Sequence, residues 1–292
     1  MLYTIRNQHM TVTVNDLGAE LMSITGADNT EYLWYGDPEF WRSRSPILFP
    51  YVGRMTEGSY TLHGTRYSMG THGFARHALF TVAEAEDARI VFTLRDSEET
   101  RGNYPFSFVL SITYALQDNR LDITYGVENC GQQTMYFGLG GHPGFRLPLE
   151  PGKKFEDYRL EFKNPCHPGR VLMSVNYMNS GKEVPFYLEN GTTLPLRHEL
   201  FDNDAIIFDH MDKTATISAG EGSRGVTVHY PQMRYLGLWH TTGNHEAPFV
   251  CLEPWMSLPS RDGIVEELTQ QGDLIRLEGG GHYRNSWSIS IF

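Results

Sequence analysis

The chain has 292 residues, 40% of them hydrophobic and 13% aromatic, ample material for a sizeable buried core. Lys+Arg number 24 against 35 Asp+Glu, a formal net charge of −11, which disfavours nucleic acid and anionic membranes as partners, since both call for a basic surface that displaces counterions. Three cysteines, Cys130, Cys166 and Cys251, with no C-x-x-C pair, argue against a disulfide framework and against a structural zinc site.

From the start of the chain, residues 1–7 lack the basic and apolar regions of a signal peptide. No stretch approaches the ~18 consecutive apolar residues of a membrane helix. The expected compartment is the reducing cytoplasm. Short apolar runs then follow at 10–14, 59–62 and 88–94. Phe106, Phe108, Leu110, Ile112, Tyr114 and Leu116 alternate with small or polar residues, and Leu121, Ile123, Tyr125 and Val127 repeat the pattern. The turn-like Gln117-Asp118-Asn119-Arg120 between them predicts an antiparallel hairpin with one buried face. Further runs at 159–162, 215–217, 225–229 and 287–291 are bounded by turn formers. Helical signal is confined to a short helix over 262–270 and a turn over 37–41. Residues 149–154 read as an excursion within the domain. With no linker, repeat or low-complexity tract, the expectation is one all-β domain over 1–292, a large sandwich rather than βαβ units.

Four segments set titratable residues among glycine, proline and aromatics. In Pro46-Ile47-Leu48-Phe49-Pro50-Tyr51-Val52-Gly53-Arg54 an apolar run ends on one guanidinium, a donor fork suited to sugar hydroxyls or an oxyanion. An exposed arginine closing a strand is the alternative. In Thr71-His72-Gly73-Phe74-Ala75-Arg76-His77 the two histidines lie five apart, which matches no zinc spacing, and His72 alone also reads as a structural histidine. In Gly138-Leu139-Gly140-Gly141-His142-Pro143-Gly144-Phe145, four glycines and a proline surround one histidine. That composition is poor for a central strand and lacks the strand–GxGxxG–helix setting of a dinucleotide site. In Phe249-Val250-Cys251-Leu252-Glu253-Pro254-Trp255, Glu253 ends a run that should be buried. An unpaired carboxylate there is costly and its proton affinity rises toward that of a useful base, unless it reaches solvent past Pro254.

In this order and at this spacing, together with Gly18-Ala19-Glu20-Leu21, Glu31-Tyr32-Leu33-Trp34-Tyr35 and Ser45-Pro46, the segments resemble the aldose 1-epimerase (mutarotase) superfamily over essentially the whole chain. The resemblance is to the branch with a Gly-Gly-His-Pro-Gly-Phe second histidine motif. It implies a single-domain β-supersandwich with a cleft on one curved sheet. It also implies Glu253 as general base, His142 as general acid, His72 as second active-site histidine and Arg54 as a sugar contact. The family's sugar-binding aspartate matches Asp204, with Asp202 a competitor. Gly53-Arg54 stands where the galactose enzymes have Asn-Arg, so galactose specificity is not implied.

The implied reaction opens a pyranose by taking a proton from the C1 hydroxyl while protonating the ring oxygen, and closes it on the other face. One carboxylate and one histidine suffice, and no metal, nucleotide or other cofactor is required. Burial should raise Glu253, and neighbouring negative charge should hold His142 as imidazolium. Arg54 and His72 would steady developing negative charge. Trp239 and Trp255 are candidates to stack on the sugar, with core packing as the alternative. The expected partner is a small neutral sugar, and the protein a monomer or homodimer. A hexose-6-phosphate 1-epimerase is the rival, with Arg76, Arg42 and Arg44 as the basic cluster for phosphate. A non-catalytic carbohydrate-binding module would not need the His142–Glu253 pair. A cupin-like metal enzyme would need a compact His/Glu ligand set, which the sequence lacks.

Overall fold

The alternation around 117–120 becomes a long antiparallel hairpin in the computed structural model, which describes residues 1–292. Phe108–Gln117 and Arg120–Asn129 pair from Arg120↔Gln117 to Asn129↔Phe108. Phe108, Leu110, Ile112 and Tyr114 are buried on one strand, and Leu121, Ile123, Tyr125 and Val127 on the other. The residues between them are half-buried, so a single face enters the core. Asp118 takes φ 50 in the two-residue turn, a conformation aspartate tolerates better than most side chains. Pairing starts at Phe108 because Pro105 has no N–H to give and the Phe106 N–H turns back to the Tyr104 carbonyl.

This hairpin lies inside a nine-stranded antiparallel sheet. Its order is Thr193–Pro195, Arg159–Phe162, Thr214–Ser218, Gly225–His229, His282–Ile291, Arg120–Asn129, Phe108–Gln117, Arg89–Arg95 and Thr81–Glu86. A second, eight-stranded sheet runs Asn179–Pro185, Gly169–Met173, Ile206–Asp209, Tyr235–Trp239, Phe249–Trp255, Gly140–Gly141 and Ile47–Leu48, with Gly144–Arg146 also on Phe249–Trp255. A three-stranded sheet of Leu2–Arg6, Met10–Asn15 and Glu20–Gly26 completes the frame. Strand accounts for 47% of residues and helix for 7%, so the class is all-β. Buried apolar side chains from Ile5 to Ile291 share one cluster. No helix is long and apolar enough to cross a membrane.

The large sheet props up the thinnest part of the small one. The Tyr125 hydroxyl donates to the Gly140 carbonyl at 3.4 Å. Trp287 lies so close beneath Gly141 that a Cβ there would come within 2.5 Å of the indole. Glycine is therefore required for the sheets to meet at this point.

The helix expected over 262–270 does not form. Gly263 takes φ 74, and the local donors and acceptors are spent on the strand Ser59–Leu62: the Thr61 N–H donates to the Glu266 carbonyl and the Leu268 N–H to the Thr61 carbonyl. The helix that does form, Glu98–Asn103, lies outside the expected elements, although Ser97 and Thr100 form a capping box ahead of it. The turn over 37–41 is present, with Phe40 and Trp41 both donating to the Asp37 carbonyl.

Candidate active site

Phe249–Trp255 is buried along its whole length and lies between Tyr235–Trp239 on one side and the glycine-rich strands on the other. Strand alternation sends Val250 and Leu252 into the main core and turns Cys251, Glu253 and Trp255 to the opposite face. Glu253 therefore does not escape past Pro254; it is 1% exposed. Gly237 stands opposite it in register, and a Cβ there would lie 3.1 Å from the Trp255 indole and 3.3 Å from the Glu253 Cβ. The missing side chain leaves room for both.

His142 comes from the short connection between Gly140–Gly141 and Gly144–Arg146. The Leu252 N–H donates to the Pro143 carbonyl at 3.2 Å, tying this connection to the Glu253 strand. His142 Nε2 lies 3.1 Å from Glu253 Oε2. The alignment is poor for a hydrogen bond, and Glu253 Oε2 and His142 Nδ1 are both buried without a well-formed partner. The imidazole stacks on Trp41 at 4.8 Å and meets His72 and Trp239 edge-on at 5.3 and 5.6 Å.

His72 sits at φ 65 in a loop stitched to the segment before Arg54. The His72 N–H donates to the Gly53 carbonyl, and Phe74 and Ala75 both donate to the Phe49 carbonyl. At Gly73 a Cβ would fall 2.2 Å from that same carbonyl oxygen, so only glycine permits the approach. The Gly53 N–H donates to His72 Nδ1 at 3.1 Å, which assigns the ring proton to Nε2. Burial, with Arg76 and Arg54 nearby, takes the His72 pKa down to about 3, so the ring is a neutral donor at physiological pH.

Asp204 follows the turn His198–Phe201 at φ 71 and accepts hydrogen bonds from the Trp239 indole (3.1 Å) and the Thr242 hydroxyl (3.3 Å). Asp202 points elsewhere and pairs with His245 at 2.7 Å on the surface. Arg54 lies over the Tyr177 ring at 5.3 Å, and Arg76 donates to the Ser43 hydroxyl at 2.8 Å. All eight residues singled out from the sequence, Arg54, His72, Arg76, His142, Asp204, Trp239, Glu253 and Trp255, line one cavity of about 310 Å³. Trp41, Met173 and Tyr177 line it too and were missed, because nothing in their local sequence separates them from ordinary apolar residues.

Electrostatics corrects one expectation. Burial first, then the charge of Asp204, pushes the Glu253 carboxyl well above its usual range, and the Trp255 indole counters this only from a poor angle. Burial first, then His72 and Arg76, holds His142 well below the usual imidazole range. No surplus of negative charge keeps His142 protonated. Both shifts favour the neutral forms, and the neutral and ion-paired forms of a pair that shares one proton are tautomers with the same total charge.

Two further expectations change. Arg42 is exposed and outside the cavity, while Arg44 donates to the Met22 carbonyl at 2.5 Å. Neither Arg42 nor Arg44 therefore joins Arg76 on the cavity wall. A compact donor set does exist: His142, Cys251 and Glu253 bring a nitrogen, a sulfur and an oxygen within 4.8 Å of one another. Sequence separation hid it. Burial raises the Cys251 thiol well above its ordinary value, which keeps it protonated and a weak ligand.

The sequence model of the family described as aldose 1-epimerase matches residues 1–267. Protein LacX of Lactococcus lactis subsp. lactis, in its plasmid form, is 31% identical over 303 residues, spanning 100% of this chain and 99% of its own. The crystal structure of a galactose mutarotase related enzyme from Lactobacillus acidophilus superposes with a TM-score of 0.95 at 31% identity, covering 100% of this chain and 97% of that one. A galactose mutarotase-like protein from Lactobacillus casei ATCC 334 gives 0.93 at 30% identity, with both chains covered completely.

Proposed function

From the premise that the chain belongs to the aldose 1-epimerase family, we propose that its cavity interconverts the α and β anomers of a hexose, with Glu253 and His142 exchanging the protons. The observation that carries this reading is the 3.1 Å separation of His142 Nε2 and Glu253 Oε2 on a buried cavity wall. The two oxygens that must lose and gain a proton are bonded to the same carbon. Acid and base therefore have to sit side by side, within hydrogen-bond reach of one hemiacetal.

In this mechanism a sugar C1 hydroxyl donates to Glu253 and the ring oxygen accepts from His142, which draws the shared proton onto the histidine. Glu253 then takes the C1 proton as His142 delivers its own to the ring oxygen, and the C1–O bond to the ring opens. Rotation about C1–C2 presents the other aldehyde face, and closure reverses both transfers. Each group contributes on the order of 10²–10⁴-fold. His72 Nε2–H supplies a donor for an oxygen that gains negative charge, Arg54 donates to the sugar's far edge, and Asp204, held by Trp239 and Thr242, accepts from a sugar hydroxyl. Trp239 and Trp255 offer indole faces to the sugar C–H surface. No step calls on a metal or cofactor, and the free thiols of Cys130, Cys166 and Cys251 suit the cytoplasm as the working compartment.

A phosphorylated hexose is the second reading, favoured by Arg54 and Arg76, two cavity guanidinium groups with no carboxylate ion pair. The absence of Arg42 and Arg44 from the cavity wall weighs against it. Anomer exchange followed by NMR on glucose, galactose and glucose 6-phosphate tests both readings at once. Acceleration above the spontaneous rate for the free hexoses supports the first. A marked preference for glucose 6-phosphate that Arg76→Ala abolishes would put the second in its place. No acceleration of any sugar rejects both.

A further inference from the structure

The catalytic cavity does not end at its mouth. Arg54 and Thr71 line both it and a second hollow of about 330 Å³. Each space reaches the ~300 Å³ at which small-molecule pockets begin, so each is of a size for one sugar ring. Glu253 and His142 are buried, whereas Arg54 and Thr71 are exposed at the rim. A pyranose with C1 and its ring oxygen against the pair thus turns its far edge toward Arg54. A substituent on that edge leads outward, along the line where the second hollow begins.

The chemistry of the outer hollow fits another sugar. Met55 and Met69 are buried and form an adaptable thioether floor, with Met178 beside them. Arg54, Thr71 and Asn176 place a guanidinium, a hydroxyl and an amide around it. Apolar floor and polar rim match a pyranose, which carries C–H bonds on its face and hydroxyls at its edge. It is a poor phosphate site: Arg54 is its one cation, and Glu57, which also lines it, already pairs with Arg66 at 2.5 Å.

One turn serves both spaces. Tyr177 lines the inner cavity, while Asn176 and Met178 line the outer one. The turn is fixed in the empty protein. The Asn176 amide nitrogen donates to both Asp262 carboxylate oxygens at 3.1 and 3.2 Å, the Thr56 hydroxyl donates to the Met178 sulfur at 3.2 Å, and the Ser174 N–H donates to the Met178 carbonyl. This use of the Asn176 amide nitrogen leaves its carbonyl oxygen to accept. A preformed wall costs little ordering on binding.

We infer that the outer hollow is a second sugar subsite, and that the preferred substrate is the reducing end of a disaccharide or longer oligosaccharide. The inference rests on the proposed anomerase reading and specifies its substrate class. The test compares anomer-exchange kcat/KM for glucose with that for maltose, cellobiose and lactose, in the wild type and in Gly70→Phe. Gly70 lies at the edge of the outer hollow only, and a Cβ there would meet nothing closer than the Gly73 carbonyl oxygen at 4.0 Å. At least one disaccharide should exceed glucose by about tenfold, the worth of one or two new hydrogen bonds. Gly70→Phe should erase that advantage while glucose stays within about twofold. Asn176→Ala, at an exposed position, should lower the disaccharide rate more than the glucose rate and covers the case in which Gly70→Phe folds poorly. Exchange of glucose with no disaccharide preference, or a preference that survives both variants, overturns the subsite and leaves the active site standing. Absence of exchange with every sugar removes both.

Discussion

Replacing Glu253 with glutamine should make the protein more stable and almost inactive. Glutamine keeps the shape and a hydrogen-bonding capacity but cannot take a proton. Loss of one general base costs at least ~10² in kcat, with KM changed much less, since the hydroxyl contact survives. His142→Asn should cost about as much, and the double variant little more, because the two groups act on one hemiacetal as a unit. Stability should move the other way. Glu253 Oε2 is buried with no well-aligned partner, and an unsatisfied group of this kind costs about 1–3 kcal/mol, more when charged. The sign with pH follows from the raised pKa. Between the ordinary value of 4.5 and the higher folded value, the folded state holds a proton that the unfolded state has released. The Glu253 contribution to stability therefore falls as pH rises through that window, and glutamine removes that contribution. Urea titrations at pH 5 and pH 8 should show the variant's advantage growing with pH, while NMR anomer exchange measures the lost turnover. Near-wild-type exchange in folded Glu253→Gln would refute the base assignment. Parallel stability curves at the two pH values would refute the buried, proton-holding carboxyl.

Trp41→Leu takes away the ring face stacked on His142, worth about 0.5–2 kcal/mol to an imidazolium. The acid limb of the kcat profile should move to lower pH, with Trp41→Phe restoring part of the shift; an unmoved limb contradicts a role for the stack. Gly73→Ala forces a Cβ to within 2.2 Å of the Phe49 oxygen at φ 73, so a loss of about 2 kcal/mol or more is expected in thermal melts. A neutral outcome would mean the His72 loop is not held as described. Chelation with EDTA should leave exchange unchanged, whereas loss with recovery on one divalent ion would bring the His142–Cys251–Glu253 donor set into the chemistry.

What the sequence disclosed follows the range of each signal. Period-two alternation is local, so the hairpin of Phe108–Gln117 and Arg120–Asn129 could be read to within two residues. The site residues could be nominated because each is embedded in glycine, proline or a buried run, compositions that a passive strand would avoid. Asp204 could not be separated from Asp202 by composition. What divides them is the backbone turn at φ 71, which carries one carboxylate to the Trp239 indole and leaves the other at the surface. Trp41 and Tyr177 come from a distant turn and a hairpin tip, and only tertiary contact brings them to the site. The error at 262–270 has the same origin. Helical periodicity was present, but the neighbouring strand around Thr61 offered the backbone better partners.

The crowding of indoles around His142 and Glu253 has an optical consequence. The chain contains five tryptophans, and Trp41, Trp239 and Trp255 all line the cavity. Trp41 and Trp239 have ring centroids within 5.6 Å of the His142 ring, close enough for its charge to alter their emission. Intrinsic fluorescence should therefore respond both to a saccharide entering and to the ring gaining a proton, although sugars have no chromophore of their own. The protein carries its own gauge of occupancy, and the quenching or blue shift of three native side chains would report any colourless, unlabelled carbohydrate that enters the cavity.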